Sequence, residues 1–270
     1  MAGSQKVTGS SPVTSTNSPP TPAAPPVRVV APRARLWEID ALRGVAVLGM
    51  IAFHFAWDWA YVHDRHLGPD ARYYSGAIAA TFITLLGLSI ALDRARVRTA
   101  GGSLLRRAAH RFALIGGAAA LVTLATRLAL PERFVYFGIL HLLALCTVLV
   151  ALTARLGAVA NACLGLAVLA VGWSGLLAGP APAAVWSVVG WWAPRPTVDW
   201  YPLAPWAGFA LLGFAVGRVL YPEGRRLHSL PDWSPRTAPL RLAGRHALPI
   251  YLVHQLMLVP LAWLLAALPR

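Results

Sequence analysis

GVAVLGMIAFHFAWDWAYV, residues 44–62, decides what kind of protein this is. As a helix rising 1.5 Å per residue, the run is about 28 Å long, close to the hydrocarbon thickness of a bilayer. Yet it holds His54 and Asp58, which fall about 15 Å and 21 Å from its start. An ionised group near that depth costs about 2.5–3.5 kcal/mol even on a lenient insertion scale. A segment that only fills a bilayer carries neither residue, so the pair asks for a chemical reason.

The rest of the chain has the same solvent in mind. Apolar residues make up 57% and charged residues only 13%, about half the charge of an ordinary soluble domain. From Leu36 onward, hydropathy marks seven apolar segments, near 44–62, 75–92, 110–130, 134–152, 157–178, 203–220 and 247–268. The fold class predicted is therefore all-α, a polytopic membrane protein of about seven transmembrane helices. The run PAAVWSVVGWWAP (182–194) is too short to span and reads as re-entrant or interfacial. Residues 1–35 are rich in Pro, Ser and Thr and have no uninterrupted apolar core. They read as a disordered tail rather than a cleaved signal peptide, leaving residues 36–270 as the membrane domain. Both cysteines, Cys146 and Cys163, lie in apolar runs and read as small buried hydrophobes.

Orientation follows from the arginines. With the amino terminus cytoplasmic, that side collects most of the 24 basic residues, including Arg43, six between Arg94 and Arg111, and Arg245. The net charge of +14 is then the positive-inside rule at work, and no nucleic-acid partner is needed. Two readings of the arginine cluster stay open: topology and lipid contact, or a site for a phosphate-rich ligand. The aromatics gather toward the opposite side, among them Trp57, Tyr61, Tyr73, Trp186, Trp191, Tyr201 and Trp206. They fit an interfacial belt or the lining of an acceptor site.

Within the spans, His54 and Asp58 are spaced i, i+4 and share a helix face. A carboxylate beside an imidazole fixes its tautomer and raises its basicity, the arrangement of an oriented general base. His141 opens the fourth span, and Tyr251, His254 and Gln255 share a face of the seventh, where Pro249 suggests a bend. Asp199 precedes the sixth span, and Pro202 and Pro205 shape its start. His63-Asp64-Arg65-His66 is at most half a metal site, so no metal is expected. GxSxG, P-loop, GxGxxG and HExxH motifs are all missing, which argues against soluble hydrolase, kinase and dehydrogenase chemistry.

IDALRGVAVLGMIAFHFAWD, FGILH, DWYPLAPWAGFALLGFAVGR and GRHALPIYLVHQ together resemble the bacterial membrane family that shares a catalytic domain with heparan-α-glucosaminide N-acetyltransferase. The first motif is also similar to the opening of the wider transmembrane acyltransferase group. The animal enzyme is longer, and its first span has no histidine where His54 stands, so heparan is not carried over as substrate. The resemblance implies an acyltransferase of a bacterial plasma membrane. It would move an acetyl group from cytosolic acetyl-CoA, a co-substrate rather than a bound cofactor, to a sugar-like or small-molecule acceptor at the outer side. On that reading His54, Asp58 and His141 are catalytic, with Arg127 as another candidate beside His141 for the oxyanion. Arg43, Arg106, Arg107, Arg111 and Arg245 hold acetyl-CoA, while Asp199, Tyr201, Trp206, Tyr251 and His254 meet the acceptor. A proton-coupled transporter or flippase for a small polar solute is the competing class, disfavoured because no internal repeat is visible.

Overall fold

In the computed structural model the described residues are 1, 3, 36–177, 188–190 and 196–268. They contain seven long helices and one short one: α1 Trp37–Val62, α2 Ala71–Ala100, α3 Leu104–Ala129, α4 Ile139–Thr153, α5 Gly157–Trp173, α6 Leu203–Leu220, α7 Ala238–Arg245 and α8 Ala247–Ala267. Six helical stretches are long and apolar enough to cross a membrane. The fourth of them, Ile139–Trp173, is not straight. It turns back at Ala154–Leu156, where Gly157 takes a φ of 90°. Its two halves, 15 and 17 residues long, measure about 22 and 25 Å. The seven apolar segments of the sequence are thus seven long helices, and the chain is a multi-pass membrane protein.

The turn between α4 and α5 is held by a polar knot. Asn161, fully buried, donates to the carbonyls of Thr153 (2.9 Å) and Gly157 (2.7 Å), and the Thr153 hydroxyl donates back to Asn161 Oδ1 (2.7 Å). In an apolar surround, carbonyls left by a broken helix must find such donors.

With helices apolar on every side, burial cannot choose the packing faces, and close approach of backbones does. A Cβ at Gly87 of α2 would strike the Ala210 carbonyl of α6, and Gly165 of α5 lies against the Gly208 carbonyl of α6. Around these contacts α2, α4 and α6 enclose the main core, with Ile83, Leu142, Val150 and Phe214 fully buried. At its first turns α1 packs just as tightly on α7, Gly44 facing the Leu240 carbonyl and Gly244 facing that of Asp40.

Four details depart from the sequence reading. α2 extends to Ala100, eight residues past the apolar segment read as ending near 92, so Arg94, Arg96 and Arg98 stand on the helix. α5 stops at Trp173, and of residues 182–194 only 188–190 are described, so the re-entrant reading lies outside the described residues. The break before α8 falls at His246; Pro249 sits in the first turn, where a missing N–H costs nothing. Cys146 is buried as expected, but Cys163 is exposed on the outside of α5.

Candidate active site

The bundle has an arginine-rich end, where α1 begins, and an aromatic end, where α1 stops. Between them α1 and α8 run side by side and bring His54 against His254, the ring centroids 4.8 Å apart. The hydrogen bonds assign the protons. His254 Nδ1 lies 2.6 Å from the Tyr251 carbonyl oxygen, which only accepts, so Nδ1 carries the hydrogen. Its Nε2 is then an acceptor; it is buried and has no partner among the described residues. His54 Nδ1 lies 3.2 Å from the Gln255 amide nitrogen, which only donates, so the His54 hydrogen sits on Nε2.

Asp58, 8% exposed, does not pair with His54 as the i, i+4 spacing suggested. Gln255 stands in that place: it is the polar group facing the Asp58 carboxylate and also the donor to His54. A carboxylate demands the NH₂ side of the amide, so Asp58 fixes how Gln255 points, and Gln255 fixes the tautomer of His54. Asp58 Oδ2 and Gln255 Oε1 have no further partner among the described residues. Gln255 shares a helix face with Tyr251 in the sequence, but nothing there aims it at α1.

At the aromatic end the cluster continues through Tyr251, whose ring lies 5.4 Å from that of His254. Asp199 and Tyr201 are within electrostatic reach of Tyr251. Asp199 has a definite task, because its Oδ2 accepts from the Ile139 backbone N–H (3.0 Å) at the start of α4. Gly138 makes this possible: a Cβ there would overlap the Asp199 carboxylate. Burial pushes the Asp199 carboxyl up to about 6, against the lowering effect of the Ile139 N–H. Burial and the neighbouring Asp199 charge hold the Tyr201 phenol well above its ordinary range. Trp206 packs edge-on against Tyr201 at 4.9 Å. The aromatics therefore divide: Tyr61, Tyr73 and Tyr74 are about two-thirds exposed, as a belt requires, while Tyr201 and Trp206 turn inward. Trp186 and Trp191 lie outside the described residues.

His141 shares no partner with the histidine pair. Its Nδ1 accepts from the Gly138 N–H (3.2 Å), so Nε2 donates to the Thr123 hydroxyl (3.3 Å). It also lines an apolar groove of about 400 Å³ with Phe112, Gly116 and Ala120 of α3. Arg127 is exposed and lies over the Phe134 ring at 5.1 Å.

The arginines expected to hold acetyl-CoA are mostly occupied. Arg43 Nη1 and Arg245 Nε take the two oxygens of buried Asp40, at 3.2 and 3.1 Å, and Arg43 also donates to Ser89. Arg111 pairs with Asp93 at 2.6 Å, and Arg226 forks onto Glu38 at 2.8 and 2.6 Å. Tyr221 donates to the same Glu38 carboxylate; burial and that negative charge push its phenol up to about 12. Arg106 and Arg107 are exposed, with no side-chain partner among the described residues. Among these residues no three His, Cys, Asp or Glu stand together as metal ligands.

Apolar helices crossing a bilayer around two facing imidazoles, one donating and one accepting, make a membrane protein with a site suited to proton or group transfer. Residues 35–256 match the family described as heparan-alpha-glucosaminide N-acetyltransferase, catalytic. The chain belongs to that family, whose members are membrane acetyltransferases. Neither a curated protein nor a solved structure matches it.

Proposed function

We propose that this protein moves an acetyl group from acetyl-CoA to a hydroxyl or amine of a sugar-like or small-molecule acceptor. In this reading the arginine-rich end faces the cytoplasm of a bacterium and receives the donor across the plasma membrane. The acceptor arrives from the aromatic end, past Tyr201, Trp206 and Tyr251. Residues 36–270 form the catalytic domain, and residues 1–35 are a cytoplasmic extension of it.

One observation carries the reading: among the described residues the buried Nε2 of His254 is an acceptor without a donor, 4.8 Å ring to ring from an imidazole whose own hydrogen is on Nε2. A buried acceptor left open costs about 1–3 kcal/mol, and it gains a partner when a substrate O–H or N–H arrives. His254 Nε2 takes the acceptor's proton as its oxygen or nitrogen attacks the thioester carbonyl carbon. The C–S bond breaks, and the CoA thiolate recovers the proton from the His254 imidazolium. His54 Nε2–H donates to the carbonyl oxygen while it carries negative charge. Asp58 and Gln255 keep that hydrogen on Nε2. The sequence pointed to His54 as the base; in this proposal that role passes to His254, supported by its open Nε2 acceptor.

The experiment incubates purified protein with acetyl-CoA labelled in the acetyl group, with a panel of amino sugars and polyols. Label on an acceptor with equal release of free CoA supports the function. Solute uptake into liposomes without any acetyl-CoA identifies a transporter and rejects it.

A further inference from the structure

We infer that Arg94, Arg98 and Arg218 form a binding site for a phosphate group at the arginine-rich end. Arg94 and Arg98 stand one turn apart on α2, and Arg98 and Arg218 of α6 each lie within electrostatic reach of Arg94. The packing forces this. Gly217 sits against Leu88 and Ala91 of α2, so the next residue of α6, Arg218, is delivered beside the following turn of α2.

None of the three has a carboxylate partner among the described residues. Among the described residues at this end, Glu38 takes Arg226, Asp40 takes Arg43 and Arg245, and Asp93 takes Arg96 and Arg111. Glu223 and Asp232 are exposed and form no ion pair with the trio. Arg94 Nε is buried with no hydrogen-bond partner among the described residues. Arg98 and Arg218 both repel Arg94, whose buried donor is unmet among the described residues, and an anion joining them relieves the repulsion and meets the donor. A retention signal for topology needs arginines on this side, but it does not need two of them gathered around a third. The anion's chemistry follows from the donors: planar guanidinium forks match phosphate oxygens two at a time. Arg98 is exposed while Arg94 and Arg218 are half-buried, so the group enters from the water side. Two carriers present such a group here, the CoA part of the acyl donor and an anionic phospholipid headgroup. The first carrier rests on the proposed function; the second does not.

Binding of CoA itself, which lacks an acetyl group and cannot turn over, is measured by calorimetry on the full chain in phospholipid-free neutral detergent, with pyrophosphate as competitor. A second arm compares the melting temperature in discs of phosphatidylglycerol and of phosphatidylcholine. The variant is R94Q/R218Q, and R225Q/R236Q removes the same charge from exposed positions at the same end. If CoA is the carrier, R94Q/R218Q weakens CoA binding at least about tenfold and pyrophosphate competes only with the wild type, while the control shifts less than about twofold. If the headgroup is the carrier, CoA binding is unchanged and R94Q/R218Q loses the extra stability seen in phosphatidylglycerol. Should the double variant fail to fold, R98Q, at an exposed position, carries both arms. Wild-type behaviour of the variant in both arms overturns the site, as does a wild type that responds to neither probe. Acetyl transfer by a protein that fails both arms leaves the proposed function standing and removes this site alone.

Discussion

The carboxylates at the arginine-rich end and the polar groups of the histidine cluster are treated in opposite ways. Glu38, Asp40 and Asp93 have each oxygen matched to a guanidinium, and these pairs tie α1 to α7, α2 to α3, and α1 to the segment after α6. In the middle, Asp58 Oδ2, His254 Nε2 and Gln255 Oε1 are buried and find no partner among the described residues. The two regions teach how to tell a strut from a working part. A group whose hydrogen bonds close inside the chain holds the fold, and one left open is waiting for a partner the chain does not supply.

The sharpest break in the comparison is His254→Gln. Acetyl transfer should fall about 10²–10⁴-fold, the usual share of general acid–base catalysis. The melting temperature in detergent should stay near the wild-type value, because no internal bond of Nε2 is lost. Retained turnover would return the base to His54. Asp40→Ala should do the reverse, leaving Arg43 and Arg245 without their shared carboxylate. Breaking a fully buried pair costs about 3–5 kcal/mol, and partial exposure of both arginines reduces that to roughly 2–3. Denaturant unfolding measures it, and specific activity per folded molecule should not change.

Gln255→Leu tests whether the tautomer of His54 matters. A side chain of similar volume keeps the packing but removes the amide donor to Nδ1. We expect kcat to drop about ten- to a hundredfold with KM little altered, as when a histidine loses its orienting group. An unchanged kcat would reduce Gln255 to filler and disconnect Asp58 from the chemistry.

The smallest effect concerns Asp199. Its carboxyl is raised to about 6 in the fold, from 3.8, so the folded chain binds the proton more tightly than the unfolded chain does. Its contribution to stability therefore declines as pH rises from about 4 to about 6. Asp199→Asn keeps an oxygen for the Ile139 N–H and removes this titration, so its stability relative to wild type should improve between pH 4.5 and 7.5. Asp199→Ala removes the titration and the acceptor together, so it should follow the same pH trend while lying about 1 kcal/mol below Asp199→Asn at both pH values. Thermal melts of the three proteins at the two pH values read both effects.

How far the sequence reached differs by residue. The seven helices were legible because bilayer length and hydropathy act on each segment alone, and the i, i+3, i+4 face of Tyr251, His254 and Gln255 needs only helix periodicity. The fold-back of Ile139–Trp173 was legible as two segments parted near Gly157. What spacing suggested for His54 and Asp58 was proximity, and proximity on one helix does not make a hydrogen bond when a donor from another helix lies between.

By itself, then, the sequence determined that this is a helical bundle dissolved in lipid, which end carries the arginines, and that ionisable groups are buried in it. Each of these is a sum over residues or a period along one helix. Only the tertiary structure decided that His254 holds the open acceptor, that Gln255 governs His54, that Asp199 closes the start of α4, and that Arg94, Arg98 and Arg218 meet no carboxylate among the described residues. Those are pairings between helices. In lipid they are set by where glycines such as Gly44, Gly87 and Gly217 let two backbones meet, and a linear pattern of apolar residues does not encode which helix is the neighbour.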